Sequence, residues 1–160
     1  LHDDFIHQPS LIVFWVAIMC RYNSARLAEI LGLKPEDNGK FTGLVFLHDI
    51  GKILIPSSIL NKPARPSEEE FEEIKKLPYT VMDIQNIQLL QEIAEIVLHH
   101  HERPNGKGYP CGTKDIPFEA RIIAVVDAFE TMKSGRPYKP SYSLERCLEE
   151  LRSNAGTQFD

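Results

Sequence analysis

The sequence predicts an all-α fold. Helix-start residues recur along its length, with Ser10, Ser67 and Ser143 each standing ahead of an apolar-rich stretch, and the apolar residues that follow recur at helical spacing. Runs that alternate apolar and polar residues, as a half-buried strand requires, are absent at any useful length, as are internal repeats, low-complexity tracts and heptad seams.

Each element has its own signal. Ser10 is a candidate N-cap for a first helix that closes at Leu31-Gly32-Leu33, after which Pro35 and Asp37-Asn38-Gly39 make a turn. A second apolar stretch runs from Phe41 into Leu47-His48-Asp49-Ile50-Gly51-Lys52, where the glycine marks a helix end or a close backbone approach. The segment from Ile53 to Ile59 is interrupted by Pro56. Ser67 and Glu70 form a capping box ahead of Phe71, Ile74 and Leu77, which share one helix face, and Pro78 ends or re-aims that helix. An amphipathic helix is expected from about Ile84 to His101, giving way to the Gly- and Pro-rich loop Arg103 to Pro110. Helical periodicity returns over Phe118 to Met132 and over Ser143 to Leu151, with Ser143 as cap.

At 160 residues, 42% hydrophobic and 26% charged, the chain is the size of one globular domain with a proper core. Residues 1–160 are expected to form that one domain, either whole or as a piece of something longer. A net charge of -5 argues against a DNA binder that depends on bulk positive potential, while leaving room for a small anionic ligand at a local basic cluster. Cys20, Cys111 and Cys147 are odd in number and widely spaced, which suits free thiols in a reducing, cytoplasmic setting better than a disulfide framework. The apolar run from Leu11 to Cys20 is about half the length of a bilayer-spanning helix and is closed by Arg21, so it reads as a buried helix.

Three groups of polar residues sit oddly in apolar surroundings: His48-Asp49 behind Leu44 to Leu47, His99-His100-His101-Glu102, and Asp127 within Ile122 to Phe129. A buried carboxylate is costly unless it is paired, hydrogen-bonded or bound to a metal. Each group alone has an ordinary explanation: a chance dipeptide, a solvated helix end, a carboxylate that caps something. Together they make the kind of set that two-metal hydrolases use, and imidazole with carboxylate suits Fe, Mn, Zn or Ni, with no thiolate to suggest a structural zinc site.

At this point the motifs become specific. The chain resembles an HD-GYP domain, through His48-Asp49-Ile50-Gly51-Lys52-Ile53, Ile59-Leu60-Asn61-Lys62-Pro63, His100-His101-Glu102-Arg103, Gly106, and Gly108-Tyr109-Pro110. The match continues through Ile116-Pro117, Ala120-Arg121-Ile122, Val126-Asp127-Ala128-Phe129, Ser134 to Lys139, and the closing Ala155 to Asp160. The resemblance implies an HD-domain-like helical bundle around two metal ions, sometimes three in related proteins, and hydrolysis of cyclic di-GMP to linear pGpG or GMP. By position, His48, Asp49 and Asp127 would serve one ion and Asp49, His100 and His101 the other. His99 is the weaker candidate, since successive helical residues point about 100° apart. Asp49 and Lys52 would carry the chemistry, Lys52, Arg136, Lys139 and Tyr109 would contact substrate, and the Gly108-Tyr109-Pro110 loop would line the site or meet a signalling partner.

Two positions depart from the family pattern. A first-helix histidine ligand falls at Val16, and a histidine that precedes a proline falls at Leu77, so each ion loses an imidazole. A glutamate found one turn earlier in a trimetal subset is Ile12 here. Apolar side chains donate no electrons, so metal affinity would depend on the remaining ligands and water. Two functions are therefore expected to compete: a metal-dependent cyclic di-GMP phosphodiesterase, and an impaired domain that senses cyclic di-GMP or docks a protein. A general nucleotide phosphohydrolase fits the Gly108-Tyr109-Pro110 and Arg136-Pro137-Tyr138 segments less well.

Overall fold

The computed structural model describes residues 9–33, 45, 56–60, 62–76, 88–135 and 139–160. Six helical segments are described: α1 (Pro9–Ile30), α2 (Ser57–Leu60), α3 (Glu68–Lys75), α4 (Gln88–His99), α5 (Phe118–Ser134) and α6 (Leu144–Ser153). Among the described residues β structure is limited to isolated bridge positions, such as that between Ala155 and Phe159, and no strand is present, so the all-α expectation is borne out. The expected turn at Asp37-Asn38-Gly39, the stretch from Phe41 to Lys52 apart from Val45, and the Leu77-Pro78 helix end lie outside the described residues.

The ends of the helices follow local chemistry. α1 starts at Pro9, so Ser10 lies inside the helix rather than capping it. Proline is well placed in a first turn, where its missing N–H has no partner to lose. The other end of α1 is a Schellman turn, in which Leu33 N–H donates to Ala28 O at 2.9 Å and Gly32 N–H to Glu29 O at 3.1 Å. Gly32 reaches the left-handed φ of 88° that this turn demands. At α3 the capping box forms as expected, with Glu70 N–H donating to Ser67 Oγ at 3.2 Å and Ser67 N–H to Glu70 Oε2 at 2.7 Å. Ser143 caps α6 by accepting from Arg146 N–H at 3.3 Å.

The core is built where α1 crosses α5. Cys20, Ser24 and Ala28 recur every fourth residue along α1 and are fully buried, and such small side chains let two helices approach closely. Cys20 and Ala28 cluster with Ala120, Ile122, Ile123 and Val126 of α5, and Val45, Ile96 and Ile116 complete the cluster, with Leu27 and Leu33 packed on it. α4 and α6 pack on α5 as well, which makes α5 the central element among those described. The last residues fold back, with Gly156 N–H donating to Phe159 O at 2.7 Å, Phe159 buried, and Arg121 paired with Asp160. None of the three cysteines is joined in a disulfide. No helix among the described residues is long and apolar enough to cross a membrane.

Candidate metal centre

α4 carries the histidine run to its end. His99 is the last helical residue, and His100 and His101 occupy the turn beyond it, so the expected continuation of the helix to His101 is corrected. The turn closes by Glu102 N–H donating to His99 O at 3.0 Å. Leaving the helix matters, because His100 and His101 no longer diverge by the helical angle and their rings lie 3.8 Å apart, tilted by 40°.

His100 is 3% exposed, and its Nδ1 stands 2.5 Å from Val97 O. A carbonyl oxygen only accepts, so Nδ1 is the donor of this hydrogen bond. Metal-binding histidines are held in this way, with one ring nitrogen tied to an acceptor that fixes the ring. In this respect the residue fits a metal ligand. His99, half-buried on the preceding turn, makes a similar contact with Glu95 O at 2.8 Å.

Glu102 anchors the loop that follows. Its carboxyl is 3% exposed, and Oε1 accepts the backbone N–H groups of Cys111 at 2.5 Å and Gly112 at 3.0 Å. The loop therefore closes back on the histidine turn. Gly108 passes so near that a Cβ there would lie 2.4 Å from Glu102 Cα, which only glycine permits. Tyr109 N–H donates to His101 O at 3.3 Å, and the Tyr109 ring lies over the His101 ring at 4.8 Å with a 32° tilt. The Tyr109–Pro110 peptide is cis. On its other side Tyr109 meets Phe71 of α3 edge to face at 6.0 Å and 77°.

Asp127 lies half-buried on α5, one turn before Glu130. Glu130 is 5% exposed, and its Oε1 accepts from Asn23 Nδ2 of α1 at 2.5 Å. Burial pushes the Glu130 carboxyl above its ordinary range, the Asn23 hydrogen bond opposes that, and the neighbouring Asp127 adds to it. Lys139 reaches over the Tyr142 ring at 4.6 Å, and Arg146 stands 4.0 Å from the same ring.

His100, His101, Gly108, Tyr109 and Pro110 are thus brought together in one turn and loop, while Asp127 and Lys139 sit on and after α5. His48, Asp49, Lys52 and Arg136 lie outside the described residues. Among the described residues no three His, Cys, Asp or Glu side chains converge to hold an ion. The sequence reading passed over Glu130 and Phe71. An acidic residue one turn after Asp127 was the available signal for Glu130; Phe71 was visible only as one of three residues, with Ile74 and Leu77, that share an apolar helix face.

The model for the HD domain family matches residues 16–160. The chain belongs to that family. The HD-GYP resemblance is borne out by the relatives. The chain is 40% identical over 139 residues to the cyclic di-GMP phosphodiesterase response regulator RpfG of Xanthomonas campestris pv. campestris, covering 84% of this chain and 37% of that protein. It is 42% identical over 141 residues to a cyclic di-GMP phosphodiesterase of Thermotoga maritima, covering 85% and 38%. It is 35% identical over 150 residues to the 3'3'-cGAMP-specific phosphodiesterase 2 of Vibrio cholerae, covering 91% and 28%. The chain spans less than two-fifths of the length of these relatives.

Proposed function

We propose that this HD domain is a metal-dependent phosphodiesterase that hydrolyses a cyclic dinucleotide, cyclic di-GMP in the first place, to linear pGpG or GMP. The observation that carries the reading is the buried His100 ring, whose Nδ1 is tied to Val97 O in the way the ring of a metal-binding histidine is held. Similarity to relatives that act on cyclic di-GMP and on 3'3'-cGAMP supports the substrate class. His48, Asp49 and Asp127 would hold one ion and Asp49, His100 and His101 a second, drawn from Fe, Mn, Zn or Ni. The ions would supply charge for the phosphoryl oxygens and an activated water. Lys52, Arg136 and Lys139 would bind the phosphates, as guanidinium and ammonium groups do, and Tyr109 would border the substrate. The same reading places residues 1–160 as one domain working in the cytoplasm.

Val16 and Leu77 favour a second reading, in which the domain binds cyclic di-GMP or a signalling partner through the Gly108-Tyr109-Pro110 loop without turnover. Elemental analysis of protein purified without chelators, paired with a turnover assay in added manganese or iron, separates the two. Two ions per chain with linear product support the enzyme. Saturable cyclic di-GMP binding without product supports the sensor, and neither binding nor product overturns both.

A further inference from the structure

Four rings run in series from the surface to the histidine turn. Phe71 meets Tyr109 at 6.0 Å, Tyr109 meets His101 at 4.8 Å, and His101 meets His100 at 3.8 Å. The outer member is 42% exposed, on a helix whose start is set by the Ser67–Glu70 capping box. Glu70 also receives Lys62 Nζ at 2.7 Å, which ties α3 to the segment before it. Phe71 therefore stands on a fixed support.

His101 has no helix to hold its orientation, because α4 ends at His99. A metal ligand on a turn takes its ring angle from what packs against it, and the Tyr109 ring is one such contact beside that of His100. Tyr109 in turn belongs to a loop that Glu102 anchors beyond it, at Cys111 and Gly112. Phe71 bears on the ring itself.

We propose that Phe71 is a positioning residue for the metal centre, holding the Tyr109 ring against His101 and so setting the angle of that imidazole. The inference rests on the reading of His101 as a ligand. It assigns a role to α3, which contributes no ligand of its own among the described residues. Tyrosine or phenylalanine at position 71 presents the same ring edge; leucine presents none.

The test compares the parent protein with F71L and F71Y. Carbon-bound ring-proton resonances of His101 are recorded without metal, with His99 as the internal control, and manganese affinity is measured from the free-ion signal in electron paramagnetic resonance. The expected result for F71L is a shift of the His101 resonances with those of His99 in place, and manganese affinity lowered about threefold to tenfold. F71Y restores both. His101 resonances that do not move in F71L overturn the positioning role, and so does a shift that leaves manganese affinity unchanged. A parent protein that binds none of manganese, iron, zinc or nickel overturns the proposed enzyme instead, and the His101 resonances then decide the ring contact by themselves.

Discussion

Asn23 and Glu130 join α1 to α5 by a hydrogen bond of 2.5 Å between residues 107 apart in sequence. It crosses the seam where the two helices pack most extensively, and it leaves a carboxyl group 5% exposed. Burial is the leading reason that this carboxyl titrates above its ordinary range.

The sign of the pH dependence follows. In the window between the ordinary glutamate value and the raised folded value, the folded state holds a proton that the unfolded state has released. Stability from this group is thus full below the ordinary value and is lost as pH rises through the folded one. E130Q keeps an oxygen for Asn23 and cannot ionise, so its thermal midpoint should fall less than the parent's between pH 4 and pH 7. E130A leaves the Asn23 amide without its acceptor and should cost about 1–3 kcal/mol in denaturant unfolding. Equal pH dependence in the parent and E130Q would show that Glu130 does not titrate as its burial requires.

Glu102 makes a separate prediction about the loop. Removing its carboxyl in E102A takes the acceptor from the N–H groups of Cys111 and Gly112, which belong to exposed residues and turn to water, at a cost of about 0.5–1.5 kcal/mol for each hydrogen bond lost. Hydrogen exchange at those two amides should accelerate in E102A and much less in E102Q, which retains an acceptor oxygen. Exchange unchanged in E102A would mean that the loop is held by something else.

Gly108 should tolerate no side chain. A methyl group there meets the Glu102 backbone at 2.4 Å, and backbone cannot rotate aside as a side-chain tip does. G108A is expected to destabilise the protein by about 1–3 kcal/mol, the usual cost of overpacking, and to displace Tyr109 from His101. Thermal unfolding measures the first effect and the His101 ring resonances the second. A parent-like melting temperature would contradict the close approach.

Metal content tests the two apolar positions. Restoring histidine at both, in the double variant V16H with L77H, should raise the number of manganese or iron ions retained per chain, and D127N should lower it. Elemental analysis after dialysis gives the count. A double variant that holds no more metal than the parent would show that these positions are not the ligand slots.

The helical character of the chain was legible without coordinates, because start signals such as Ser67-x-x-Glu70 and Ser143 act within one turn and Gly32 closes a helix through its own backbone. Family membership was legible too, because motifs such as His48-Asp49, His100-His101 and Gly108-Tyr109-Pro110 are written in the residues themselves. Ser10 was misread because a serine ahead of an apolar run caps a helix only if the chain turns there, and Pro9 is already helical. Which side chains meet across long separations was decided by tertiary structure alone. Asn23 finds Glu130, Glu102 closes the loop at Cys111, and Phe71 reaches Tyr109 because packing α1 on α5 and folding the loop back on the histidine turn bring them together. Those distances depend on helix crossing and loop closure, which no local spacing encodes.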